Sequence, residues 1–248
     1  MQTNYYNEYS HNLNRNMEFK TYGHDGIAFI VFPAQNGRFY DYENFKMVEA
    51  LSDYIESGRI RLCCVDSVDE ETWSFVNGDY HGRILRHEAY FNYINEELYP
   101  RLLELFGMNH QGQIYLTGCS MGATHALNFF LRRPDLYKGV IALSGVYHAS
   151  YFFPNYNDEL IYLNSVTDYL PNMPKDHDLL KEYRNSKIVV CVGQGAWEDE
   201  AIEDTKIVDD AFRRLSVPAW VDYWGYDVNH DWPWWRTQIK YFMQYFLE

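Results

Sequence analysis

Cysteine is scarce: there are four in 248 residues, Cys63, Cys64, Cys119 and Cys191, each in or beside an apolar strand-like run and none at metal-ligand spacing. A disulfide scaffold is thereby excluded, and buried, reduced thiols in a cytoplasmic protein are expected. Basic residues are also few. Lys plus Arg number 21 against 35 Asp plus Glu, a net charge of −14, and no basic run neutralises phosphates. Nucleic acid is therefore not an expected partner, and the acidic balance repels anionic substrates and membrane surfaces. No stretch approaches the roughly 20 apolar residues of a spanning helix, and the start, MQTNYYNEYSHNLNR, is polar rather than basic and then apolar. Neither a membrane span nor an export signal is expected. Glycine-rich phosphate loops and clusters of metal-ligand spacing are missing, so neither a cofactor nor a metal is expected. Without repeats, low-complexity tracts or Pro/Gly/Ser linkers, residues 1–248 read as a single domain.

What is present is enough for a large core: 47% of residues are hydrophobic and 18% aromatic. A chain of this length removes roughly 70 to 75% of its unfolded surface from water. Apolar runs predict strands at Met17–Tyr22, Ile27–Phe32, Ile60–Val65, Ile114–Thr117, Val140–Leu143, Ile188–Val192 and Trp220–Tyr223. Helical periodicity covers Tyr42–Glu56, Tyr90–Phe106, Gly122–Arg132, Asp199–Leu215 and Trp234–Leu247. This alternation predicts a mostly parallel α/β sheet flanked by helices, with an antiparallel edge from the leading strands. Residues 147–174, rich in Asn, Tyr, Asp and Pro, interrupt it and are expected as a short excursion over the strand ends.

Residues 113–122, QIYLTGCSMG, run from an apolar strand into Gly118-Cys-Ser120-Met-Gly122 and then into an amphipathic helix that stops at Pro134. The bare G-x-S-x-G pattern arises by chance in such a chain with a probability on the order of 0.1. Its strand, turn and helix context carries the argument. A serine at the apex of so sharp a turn holds a strained backbone, and flanking glycines let strand and helix approach. Its hydroxyl then stands above the sheet at the positive end of a helix.

A serine needs a base, and the base needs an acid to fix its tautomer. On such an elbow the acid follows the serine in sequence and the histidine comes last. Only His230, in the loop GYDVNHDWPWW, follows the final predicted strand. After the penultimate strand come Glu198, Asp199 and Glu200. Glu198 still lies in the loop and is the first choice; Asp199, in a helix first turn, is second, and Asp227 third. The Met121 backbone N–H is one oxyanion donor, and Gln35 or Asn36, after an early strand, offers another. Asn36, Trp73, Tyr151 and Trp197 lie in loops near the strand ends and are candidate substrate contacts, although most aromatic residues serve packing. Arg86-His87-Glu88 reads as a solvated helix start.

Taken together, these motifs, with MEFKTYGHDGIAFIVFPAQNGRFYDYENFKMVEAL and CVDSVDEETW, resemble the putative-esterase family of α/β hydrolases, which includes esterase D-like and feruloyl-esterase-like enzymes and mycolyltransferases. The resemblance spans most of the chain and implies Ser120 as nucleophile, Glu198 as acid, His230 as base, and Met121 and Gln35 as backbone oxyanion donors. Two departures stand out. The acid is a Glu where relatives more often carry Asp, which needs a loop set farther back or places Asp199 in the role. Asn229 precedes the histidine where relatives often carry glycine. The expected function is serine-dependent hydrolysis of a small or polar/aromatic ester. Alternatives are an acyltransferase using the same triad and a non-catalytic binding protein on this fold. Composition leaves a homo-oligomer open.

Overall fold

The computed structural model describes residues 1–76, 79–109 and 114–248. Gln113, the first residue of the elbow run, lies outside them. Strands β1 (Thr3–Ser10), β2 (Arg15–Tyr22), β3 (Ile27–Phe32), β4 (Ile60–Val65), β5 (Ile114–Cys119), β6 (Gly139–Leu143), β7 (Lys187–Val192) and β8 (Trp220–Tyr223) form one sheet in the order β1-β2-β4-β3-β5-β6-β7-β8. β2 runs antiparallel to both β1 and β4, and every other pairing is parallel. The helices are α1 (Asp41–Asn44), α2 (Met47–Ala50), α3 (Ser52–Glu56), α4 (Tyr80–Asn92), α5 (Tyr99–Phe106), α6 (Met121–Arg132), α7 (Glu159–Leu163), α8 (Val166–Asn172), α9 (Leu180–Arg184), α10 (Asp199–Arg214) and α11 (Trp232–Leu247).

Strand alternation divides the core into two layers. In β3, Ala28, Ile30 and Phe32 pack with Leu102 of α5 and Phe129 of α6, whereas Phe29 and Val31 pack with Ile239, Phe242 and Met243 of α11. Helices cover both faces, which is why the central strands read as unbroken apolar runs. With every parallel strand pointing the same way, the loops after β3, β5, β6, β7 and β8 gather at one edge, where open α/β sheets carry their sites.

Several elements differ from the sequence expectation. β1 was not expected, because TNYYNEYS is polar; its backbone pairs with β2 from Thr3↔Tyr22 to Ser10↔Arg15 at the sheet edge. The antiparallel edge therefore consists of β1 and β2, while β3 is central. The helix expected over Tyr42–Glu56 is the three short helices α1 to α3, with Lys46 between the first two in the left-handed region at φ 64°. The helix expected over Tyr90–Phe106 begins earlier, at Tyr80, and widens into a π-helical turn at Tyr93–Leu98. Pro100, which has no N–H to donate to the preceding turn, follows at the start of α5. Arg86-His87-Glu88 is no solvated helix start. It lies inside α4, where His87 is buried, Arg86 donates to Glu71 and to the Leu13 carbonyl, and Glu88 receives two bonds from Arg132.

The excursion expected over 147–174 divides its packing: α7 rests on α4 and α8 on α10, and Tyr151, at the end of the turn Ala149–Tyr151, shares a cavity wall with Ser120 after β5. Among the described residues, no helix is long and apolar enough to cross a membrane.

Candidate active site

β5 leads into Ser120, whose backbone sits at φ 57°, ψ −125°, a conformation that L-residues rarely adopt. The neighbouring packing enforces it. A Cβ on Gly118 would lie 2.3 Å from the Gly122 carbonyl carbon, and one on Gly122 would lie 2.4 Å from the Phe32 carbonyl oxygen. The elbow is thus wedged between β3 and α6. The Ser120 N–H donates to the Leu143 carbonyl at 2.9 Å, and its own carbonyl accepts from Ala123 N at 2.9 Å, so the serine is fixed from both sides.

His230 closes the loop after β8. Asp231 caps α11 by accepting from Trp232 N, and Pro233 sits in the first turn, so the helix starts immediately after the histidine. His230 Nε2 lies 2.9 Å from Ser120 Oγ, and Nδ1 lies 3.0 Å from Glu198 Oε2. The Trp235 ring stands edge-on against the imidazole at 4.9 Å. Asn229 is a clasp rather than a hindrance: its Oδ1 accepts from Ala196 N at 2.8 Å, while His230 N donates to the Ala196 carbonyl at 3.0 Å. Acid and base loops are thereby tied together.

Glu198 is completely buried immediately before α10. A buried carboxylate requires hydrogen-bond partners. Besides His230, it accepts from the Ser144 hydroxyl at 2.7 Å and from Gly193 N at 3.4 Å, and Ser144 in turn accepts from Trp235 Nε1 at 3.1 Å. Asp199 and Asp227 are both exposed to solvent. Ser144, at φ 57° after β6, escaped the sequence reading, since nothing in the run Leu143-Ser-Gly145 distinguishes it from an ordinary turn.

A cavity of about 180 Å³ opens beside Ser120, and its wall includes Gln35, Met121, Tyr151, Trp197, Glu200 and His230. Met121 is the first residue of α6, so its N–H has no acceptor within the helix. Gln35 follows β3, and its side-chain Nε2 donates to Ser74 Oγ at 2.7 Å. Two expected contacts lie elsewhere. Asn36 is not on the wall, and its N–H points to Asp69 Oδ2 at 3.3 Å. Trp73 is buried, donates to His87 Nδ1 at 3.0 Å, and packs edge-on against Phe152, a wall residue. It backs the wall without facing the cavity.

A buried polar chain behind the site was also missed. Asp69 Oδ1 meets His125 Nε2 at 2.9 Å with both side chains only 1% exposed, and Asp69 holds the Asn36 N–H with its other oxygen. One carboxylate therefore couples the loop after β3 to α6, the helix that begins at the elbow. His87 stacks on His125 with centroids 5.1 Å apart, and burial, followed by His125 and Arg132, holds its pKa well below the usual range. Among the described residues, no group of three or more His, Cys, Asp or Glu is arranged to hold a metal ion.

Chemically, the hydroxyl, imidazole and carboxylate form one hydrogen-bonded line, with a helix N-terminus beside the hydroxyl. Such a line can move a proton off an attacking oxygen and stabilise negative charge next to it. Comparison with known proteins gives the family and the fold. The family model described as "Putative esterase" matches residues 10–244. A ferulic acid esterase superposes with a TM-score of 0.77 at 15% identity, covering 98% of this chain and 96% of that one. S-formylglutathione hydrolase from Staphylococcus aureus superposes at 0.71 with 17% identity, covering 100% and 97%. MPT51 from Mycobacterium tuberculosis superposes at 0.71 with 14% identity, covering 98% of each. A search of curated proteins gave no match. The chain belongs to the putative esterase family, and is a carboxylic ester hydrolase with the α/β-hydrolase fold.

Proposed function

We propose that the protein hydrolyses a small polar or aromatic carboxylic ester through an acyl-enzyme on Ser120. His230 Nε2 takes the hydroxyl proton as Oγ attacks the ester carbonyl, and Glu198 holds the imidazole by Nδ1 and balances the imidazolium. The tetrahedral oxyanion is met by the backbone N–H groups of Met121 and Gln35. Collapse of the intermediate breaks the C–O bond of the ester; His230 returns the proton to the departing alcohol. Water, deprotonated by the same imidazole, then attacks the acyl-enzyme; the bond from the acyl carbon to Ser120 Oγ breaks, His230 returns the proton to Oγ, and the acid is released. The observation that carries this reading is the unbroken line Ser120 Oγ, His230, Glu198 at 2.9 and 3.0 Å.

The size of the cavity, about 180 Å³, favours a short acyl or alcohol group, since pockets for drug-sized ligands run from roughly 300 to 1,000 Å³. Cys63, Cys64, Cys119 and Cys191 are all free and buried, which suits a reducing compartment and supports a cytoplasmic location. The test is hydrolysis of p-nitrophenyl esters from acetate to laurate by wild type and Ser120→Ala, alongside fluorophosphonate labelling. We expect labelling and turnover, fastest on the short esters, in wild type alone. Equal turnover by Ser120→Ala would overturn the mechanism.

A further inference from the structure

The wall of the cavity is unusual in its charge and its exposed rings. The one carboxylate on it is that of Glu200, and Lys and Arg are missing from the wall among the described residues. Glu200 is near a second histidine: His148 Nε2 lies 3.9 Å from Glu200 Oε2. That imidazole is already committed, because Nδ1 meets buried Asp204 at 2.7 Å, and Asp204 also accepts from the N–H groups of Tyr147 and His148. The hydrogen bond to Asp204 raises the His148 pKa. Even with His148 protonated, Asp204, His148 and Glu200 together carry one net negative charge, and with His148 neutral they carry two.

Trp197 is 85% exposed and Tyr151 is 55% exposed, yet both border the same small cavity. Trp197 also holds a left-handed backbone at φ 69°, a conformation that is strained in a bulky residue. It is not a frayed tip, because its neighbour Ala196 is bonded to Asn229 and His230 on one side and Glu198 is locked in the buried acid site on the other. The fold therefore holds an exposed indole on the cavity wall that also carries the Glu200 carboxylate. Aromatic rings and a carboxylate around a small space are the chemistry that binds an ammonium ion, and a protein of net charge −14 draws cations towards it.

Building on the ester-hydrolase reading above, we propose that the cavity selects esters bearing a positive charge close to the reacting carbonyl, an ammonium or quaternary ammonium group held beside Glu200 and the rings of Trp197 and Tyr151. The test uses a matched pair, acetylcholine and its neutral carbon isostere 3,3-dimethylbutyl acetate, measured with wild type, Glu200→Gln and Trp197→Ala. We expect wild type to favour the cationic ester in kcat/KM by roughly tenfold, and the ratio to fall towards one in each variant and with added salt. A wild-type ratio of one or below, or a ratio that neither variant moves, would overturn the proposal. So would turnover of p-nitrophenyl acetate with none of the cationic ester. A folded protein inert towards every ester and towards fluorophosphonate would instead overturn the ester-hydrolase reading itself.

Discussion

The Ser144 hydroxyl donates to Glu198 Oε1 at 2.7 Å while Glu198 Oε2 faces His230, so one buried carboxylate is held at both oxygens. Ser144→Ala removes that donor and leaves Trp235 Nε1 without its acceptor. Leaving buried polar groups unpaired costs about 1 to 3 kcal/mol. We expect a lower melting temperature and a kcat about tenfold down, with KM nearly unchanged. An unaltered kcat in steady-state assays would show that the orientation of Glu198 does not depend on Ser144.

The acid assignment can be tested directly. Glu198→Gln keeps the shape and removes the charge that balances the imidazolium, so kcat should drop by roughly 10³ or more. Asp199→Ala, at an exposed position, should stay within about twofold. The reverse order of effects would move the role to Asp199.

Asp69 should act on the rate without touching the substrate. Its carboxylate joins the Asn36 N–H to His125, and through them the Gln35 loop to α6. Asp69→Asn weakens the hold on both, and we expect kcat to fall by about ten- to a hundredfold with KM little changed. Affinity for a boronic-acid analogue of the tetrahedral state should fall with kcat. A purely structural role would lower the melting temperature and leave kcat per folded molecule intact.

His87 gives a pH signature. Burial holds its pKa well below the ordinary 6.5 in the folded chain, so at mildly acid pH the unfolded state binds a proton that the folded state refuses. Its contribution to stability is therefore present above about pH 6.5 and is lost as pH falls from there towards the folded pKa. Denaturant melts between pH 7.5 and 5 should show wild type losing more stability than His87→Gln, whose amide can still accept from Trp73 but does not titrate. Parallel slopes for the two proteins would contradict this.

Gly122→Ala should be severe. The new Cβ meets the Phe32 and Pro33 carbonyl oxygens at 2.4 and 2.6 Å, both backbone atoms that cannot swing aside. We expect a loss of about 3 kcal/mol or more, or no soluble protein, by chemical denaturation. A variant as stable and active as wild type would mean that the elbow packs more loosely than observed.

Local sequence was sufficient wherever function depends on chain order and on neighbouring residues. The G-x-S-x-G run, the loop before the last helix that carries His230 and the apolar strands are local patterns, and so the elbow, the candidate histidine and the mostly parallel sheet were legible. Glu198 could be preferred over Asp199 because the helix start separates a loop residue from a first-turn residue. Tertiary structure alone decided the rest. β1 exists because β2 offers a pairing edge to a polar segment, and α1 to α3 break apart where Lys46 turns left-handed. Ser144, Asp69, His125 and His87 carry no local signal, because a buried polar residue is defined by partners far away in sequence, such as the 56 positions between His125 and Asp69. Burial also withdrew Trp73 from the cavity and left Trp197 beside it, although both read alike as loop tryptophans. Sequence sets which groups are available and in what order; packing decides which of them lose water, and that loss gives a carboxylate or an imidazole its strength in the site.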